Sequence, residues 1–155
     1  MDLHNIEKKM TMKVLVVDDS RFVRERLKEM LSEVIGVEAI SQAKDTPEAI
    51  EMLGTLSPDL MILDIEMPGR SGIDLLREIE KRKKPPLAIV LTNHSSPQYR
   101  RACIDAGADF FFDKSSEFDK VAQVLKQLSN KGVAERKDYE ESNKKAILSK
   151  TVSKN

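Results

Sequence analysis

Cysteine is nearly absent from this chain. Cys103 is the only one in 155 residues, so no internal disulfide framework can form, and a reducing compartment, the cytoplasm, is expected. Long hydrophobic runs are missing too: no stretch approaches the ~20 apolar residues of a membrane helix. Residues 1–11, with Asp2, His4, Glu7, Lys8 and Lys9, contain nothing like the apolar segment of a signal peptide. They read as a short leader in which His4 is a solvated surface residue, and neither export nor membrane anchoring is expected. Net charge is also lacking, because 26 Lys and Arg offset 26 Asp and Glu. No overall basic field therefore exists to hold nucleic acid or an anionic membrane, and neither is expected as a partner. Internal repeats and low-complexity tracts are absent.

What the chain does have is the composition of one folded domain. Apolar residues make up 40% and charged residues 34%, enough to bury a core and solvate the surface around it. Four apolar runs are continuous rather than alternating: Val14 to Val17, Leu60 to Leu63, Leu87 to Leu91 and Phe110 to Phe112. Continuity over this length suits strands buried on both faces. A fifth, weaker run, Val37 to Ile40, follows Gly36 and carries Glu38, which fits an edge strand.

Between the runs the period becomes helical. Val23, Leu27, Met30, Leu31 and Val34 share one helix face, and Gly72 to Glu80 and Phe118 to Leu128 show similar spacing. Thr46-Pro47 and Ser96-Pro97 read as a capping hydroxyl before a proline at the first helical position, and Ser116 with Asp119 as a capping box. Strand and helix thus alternate five times. That alternation predicts an α/β fold: a doubly wound, five-stranded parallel sheet in the flavodoxin-like order 2-1-3-4-5, with five helices. After Leu128 the pattern stops. Residues 131–155 hold 11 charged residues out of 25 and read as a charged tail with no output domain, with residues 144–152 weighed as a partner-docking helix.

The strand ends carry the chemistry. Asp18 and Asp19 follow the first run, Asp64 the third, Thr92 the fourth, and Asp113 and Lys114 the last. In a parallel sheet neighbouring carboxyl ends open on one crevice. Three carboxylates held close require a compensating cation, and hard oxygen ligands favour magnesium, which keeps a coordination position for a phosphate oxygen. Three negative charges, two positive from the metal and one from Lys114 sum to near neutrality. An anionic phosphodonor can then enter and Asp64 can attack it. Cys103, on a helix face with Tyr99, Ala102 and Ala106, reads as inert packing.

These residues resemble the receiver domains of two-component response regulators, with the closest look to single-domain, chemotaxis-type members. The resemblance covers about residues 12–130. It rests on Val-Val-Asp-Asp-Ser at 16–20, Leu-Asp-Ile-Glu-Met-Pro-Gly at 63–69 with Gly72, Leu-Thr at 91–92, Gly-Ala-Asp at 107–109 and Asp-Lys at 113–114. It implies that Asp64 accepts phosphate and that Asp18, Asp19, Asp64 and the backbone carbonyl of Glu66 bind Mg2+. Thr92 and Lys114 would grip phosphoryl oxygens, and Phe111, with Thr92, would act as the switch. It implies a sensor histidine kinase or histidine phosphotransfer protein as donor and a downstream protein as target, and leaves room for a weak homodimer. Activity would be limited to the domain's own phosphorylation and dephosphorylation.

The chain departs from the family pattern in places. Ser115 stands where a proline, often cis, is usual; a cis bond to serine would cost about 2.5–4 kcal/mol, so a trans bond and a slightly re-aimed Lys114 are expected. Asn93 replaces a small residue, and Glu66 and His94 flank the route of water to the acyl phosphate, so these three are candidates for tuning its lifetime. Two other readings stay open: a haloacid-dehalogenase-type phosphatase, whose second acid would fall where this chain has Glu66, and a phosphorylation-independent interaction domain of the same fold.

Overall fold

Hydrophobic runs that looked uniform in sequence are divided by the sheet between two separate cores. In the computed structural model, which describes residues 11–130, five strands form one sheet: β1 (Met12–Val17), β2 (Val37–Ala43), β3 (Leu60–Leu63), β4 (Leu87–Thr92) and β5 (Phe110–Asp113). Five helices connect or follow them: α1 (Arg21–Ser32), α2 (Thr46–Leu56), α3 (Gly72–Glu80), α4 (Pro97–Asp105) and α5 (Lys120–Ser129). The spatial order is β2-β1-β3-β4-β5 and every pairing is parallel, the doubly wound arrangement expected. The leader to residue 10, and the tail from 131 with its 144–152 segment, lie outside the described residues. Among the described residues no helix is long and apolar enough to cross a membrane.

Successive side chains of a strand point to opposite faces. Leu15 and Val17 of β1, Met61 and Leu63 of β3, and Ala88 and Val90 of β4 join α2, α3 and α4 in one core. Val14 and Val16, Leu60 and Ile62, and Leu87 and Ile89 join α1 and α5 in the other. Phe111 belongs to the first core and Phe110 to the second. β2 is an edge strand, as expected, but runs to Ala43 rather than stopping near Ile40.

Helix starts match the sequence signals in part. Ser96 caps α4, its hydroxyl accepting from the Tyr99 N–H at 3.5 Å, with Pro97 as the first helical residue. For α2 the cap is Asp45, which accepts from the Glu48 N–H at 2.9 Å, rather than Thr46. Thr46 is fully buried inside the first turn and donates to the Arg70 carbonyl at 3.0 Å. The Ser116–Asp119 box does not form: α5 begins at Lys120, and Asp119 makes no side-chain capping bond. The Ser116 hydroxyl instead donates to Asp113 Oδ1 at 3.1 Å, a charge-assisted bond to the turn before the helix rather than a cap on its first amides.

Candidate functional site

The ladder carries straight into the site. Val17 pairs with Leu63 at the ends of β1 and β3, and the next backbone bonds run from Asp18 N–H to Ala43 O and from Asp64 N–H to Val17 O, each at 3.1 Å. Asp18 and Asp64 are therefore fixed side by side on two interior strands. Across the sheet Thr92 pairs with Asp113, and the Lys114 N–H donates to the Thr92 carbonyl at 2.8 Å. Close packing of α3 completes the frame: Gly72, buried at its first position, lies so near the Asp64 and Ile65 backbone that a Cβ would stand 2.7 Å from Ile65 Cα.

Lys114 reaches back over this rim. Its ammonium donates to Asp18 Oδ2 and to Asp64 Oδ2, each at 2.8 Å. The Lys114–Ser115 bond is trans, as the serine implies, and the lysine spans both carboxylates from that backbone. Asp18 is 3% and Asp64 7% exposed, whereas Asp19 is exposed. One carboxylate oxygen from each of the three lies within 4.8 Å of the others. All-oxygen donors at this spacing, two of them buried and sharing, among the described residues, one cationic side chain, fit a small hard divalent cation such as Mg2+.

The charges act on one another. Burial pushes the Asp18 carboxyl above its ordinary range, against hydrogen bonds from Lys114 and the Ser20 N–H. Burial works against the Lys114 ammonium, but its bonds to Asp18 and Asp64 outweigh that, and its pKa rises. The causes differ: loss of water disfavours the charged carboxylate of Asp18, while the two acids favour the charged form of Lys114. Arg24, which no sequence signal singled out, also enters the site. It donates from Nη1 to the Asp18 carbonyl at 2.7 Å and from Nε to Gln42 Oε1 at 3.1 Å, tying the Asp18 turn to β2.

Some of the other expected residues border the same opening and some lie behind it. Asp18, Asp19, Asp64, Glu66, Asn93 and Lys114 border a cleft of about 570 Å3. The Glu66 N–H donates to Asp64 Oδ1 at 3.2 Å, while its carboxylate meets His94 Nε2 across the mouth. Thr92 is fully buried, its hydroxyl accepting from the His94 N–H at 3.1 Å. Phe111 points inward, 1% exposed, with the Arg100 guanidinium 5.0 Å from its ring centre. Cys103 is fully buried and its thiol is pushed up to about 12 by burial, consistent with inert packing.

One cluster escaped the sequence reading. The Asp113 carboxylate accepts through Oδ1 from the Ser115 N–H at 2.9 Å, the Ser116 N–H at 3.0 Å and the Ser115 hydroxyl at 2.6 Å. Oδ2 accepts from the Ser95 hydroxyl at 2.5 Å. These bonds, from Ser115 first and Ser95 next, hold the Asp113 carboxyl well below the usual range. The available signal was an Asp followed two and three residues later by serines, the pattern of an Asx turn.

Known proteins share this arrangement. A model of the response regulator receiver domain matches residues 14–126. A protein-glutamate methylesterase/protein-glutamine glutaminase of Pseudoalteromonas atlantica is 40% identical over 111 residues, covering 70% of this chain and 29% of that protein. The chain spans about a third of the length of such relatives, and the esterase activity is theirs. A LuxR-family response regulator from Aurantimonas superposes with a TM-score of 0.71 at 25% identity, over 77% of this chain and 85% of that one. RcsB of Salmonella enterica, bound to a promoter, gives 0.75 at 22% identity, over 92% and 67%, a likeness of fold. The expectation that no nucleic acid is involved does not fit such neighbours. It rested on summed charge, which describes this chain's own field and not what a receiver controls. The matched motifs, the strand order and the shared rim of acids and lysine place the chain in the response regulator receiver domain family.

Proposed function

We propose that this chain is a phosphoryl-accepting switch in which Asp64 takes a phosphoryl group from a phosphohistidine on a sensor histidine kinase or histidine phosphotransfer protein, with Mg2+ held by Asp18, Asp19, Asp64 and the Glu66 carbonyl. The observation that carries it is the Lys114 ammonium shared between Asp18 and Asp64 at the floor of an open cleft. A structural salt bridge needs one acid; a second acid under the same ammonium and a third beside it make a pocket that gains from a further cation and an anionic group.

In the transfer, an Asp64 carboxylate oxygen forms a bond to phosphorus as the donor's N–P bond breaks, and the imidazole leaves with the electron pair. Little covalent assistance is needed beyond placement and charge. When bound, the divalent cation supplies positive charge against the phosphoryl oxygens. Lys114, already 2.8 Å from Asp64 Oδ2, follows the new charge. The Thr92 hydroxyl, which accepts from the His94 N–H, has its own proton to donate to a phosphoryl oxygen. Phosphorylation turns one negative charge into roughly two and adds strong acceptors, so the loops after β4 and β5 are drawn inward. Phe111 then serves as the switch aromatic, changing the face of α4, β5 and α5 that a downstream protein, or a second copy in a weak homodimer, would read.

Glu66 and His94, paired across the mouth, and Asn93 on its rim, are placed to set the lifetime of the acyl phosphate; unchanged decay rates in Glu66→Ala and His94→Ala would refute that role. Family membership removes the footing of the haloacid-dehalogenase alternative, and the cytoplasm remains the proposed location. The decisive experiment is incubation with Mg2+ and acetyl phosphate, read by intact mass. One added phosphoryl group, absent in Asp64→Asn, is expected. Absence of the adduct in the parent protein would overturn the reading in favour of a phosphorylation-independent interaction domain.

A further inference from the structure

The Lys114 side chain has four flexible bonds between its backbone and its ammonium, so its aim depends on how firmly its root is held. On either side that root is held by Asp113. The Oδ1 atom takes both backbone amides and both hydroxyls of Ser115 and Ser116 at 2.6–3.1 Å. The backbone of the same residue is fixed twice more: its N–H donates to Glu117 Oε1 at 3.1 Å, and its carbonyl accepts from the Glu117 N–H at 2.8 Å. A turn needs no more than this for its own folding.

The bond from Ser95 to Oδ2 is different in kind, because it leaves the turn and crosses to the loop after β4, three residues past Thr92. Together with the Lys114 N–H to Thr92 carbonyl bond, it couples the loop bearing the hydroxyl to the loop bearing the ammonium. Serine at 115 supplies no ring to stiffen the turn, so the rigidity comes from the carboxylate. We propose that Asp113 is a positioning residue for phosphoryl transfer, holding the root of Lys114 in register with the Thr92 loop so that the ammonium meets the phosphoryl group that Thr92 also contacts. This rests on the phosphoryl-accepting reading of Asp64.

The test uses the full chain with Asp113→Ala, Asp113→Asn and Ser95→Ala, each also in a Lys114→Met background. Two readouts are followed: the rate of phosphorylation by acetyl phosphate with Mg2+, and the 13Cε NMR signal of Lys114 in the unphosphorylated protein, assigned by its loss in Lys114→Met. Misplacing a reacting group by about 1 Å can cost ~100-fold, and a loosened lysine should cost less. Asp113→Ala should slow acceptance about tenfold and move the Lys114 signal toward that of solvated lysines. Asp113→Asn, which keeps an acceptor for the turn amides, should stay within about threefold of the parent. In Lys114→Met, Asp113→Ala should add no further loss, because it acts through the lysine.

A parent-like rate with an unmoved Lys114 signal in Asp113→Ala would overturn the proposal, as would an equal loss in the Lys114→Met background. Should Asp113→Ala fail to fold, Ser95→Ala decides, since it cuts only the bond between loops: a shifted Lys114 signal supports the proposal and an unshifted one sinks it. Failure of the parent to accept phosphate would refute the function, while the Lys114 signal would still judge Asp113.

Discussion

Replacing glycine by alanine at two positions should move stability in opposite directions. At Gly72 an added Cβ would stand 2.7 Å from Ile65 Cα and 3.0 Å from the Asp64 carbonyl carbon, and closer still to the Asp64 carbonyl oxygen. All three are backbone atoms that cannot swing away. Carbon atoms settle at about 3.5–4.0 Å, so α3 and the turn after β3 must part by roughly 1 Å, loosening the 3.0 Å bond from the Gly72 N–H to the Ile65 carbonyl. Overpacking costs about 1–3 kcal/mol and the weakened bond about 1 kcal/mol, against about 0.4–1 kcal/mol regained from a stiffer unfolded chain. A net loss of about 1–3.6 kcal/mol is expected. Gly54, exposed near the end of α2, has nothing within 4 Å of its added Cβ, so Gly54→Ala should gain about 0.4–1 kcal/mol. At roughly 4 °C per kcal/mol for a domain of this size, Gly72→Ala should melt about 4–14 °C lower and Gly54→Ala about 2–4 °C higher. Circular dichroism melts in Mg2+-free buffer, with urea titrations to check that the m-value holds, give the comparison. A Gly72→Ala protein as stable as the parent would refute the reasoning, as would two shifts of the same sign.

Other expectations follow from the site. Lys114→Met leaves Asp18 and Asp64 facing each other and should cost about 2–3 kcal/mol without metal, the low end for a broken buried pair because the cleft is open; urea titration should show Mg2+ recovering part of the loss in the variant, and equal stability of variant and parent in EDTA would contradict this. Asp113, whose carboxyl is held below its ordinary 3.8, contributes stability that is present above that value and lost as pH falls through the lower folded one. The difference in urea midpoint between the parent and Asp113→Asn should therefore shrink steadily below pH 4, and a constant difference would count against it. Cys103, fully buried with its thiol pushed up to about 12, should resist Ellman's reagent in the native protein and react fully in urea; rapid native labelling would show that the α4 core opens.

Fold and site differed in how far the sequence revealed them. Continuous runs such as Leu60–Leu63 and the helical spacing from Val23 to Val34 carry the whole α/β order, because burial on two faces and a period near four residues leave direct marks on residue type. Asp18, Asp19, Asp64, Thr92 and Lys114 could be grouped because parallel strands bring their ends to one rim. Hydrogen-bond competition left no such mark. Thr46 and Ser116 looked like caps, yet each hydroxyl found a partner elsewhere, and the nearby Asp45 took the capping role for α2. The bonds of Arg24 to the Asp18 carbonyl and to Gln42, and the Asp113–Ser95 bond, depend on how separate elements meet in space, which no local pattern reports.

Strand position also divides the mechanical labour of the site. β1 and β3, which run into Asp18 and Asp64, each have a hydrogen-bonded neighbour on both sides, whereas β5, which ends in Asp113 with Lys114 just beyond, is bonded among the described residues only to β4. The pocket is thus a vice with one fixed jaw and one sliding jaw. On the proposed function, closure on a newly attached group would be accommodated at the outer strand, where one ladder rather than two must yield, while Asp64 stays held between its neighbours.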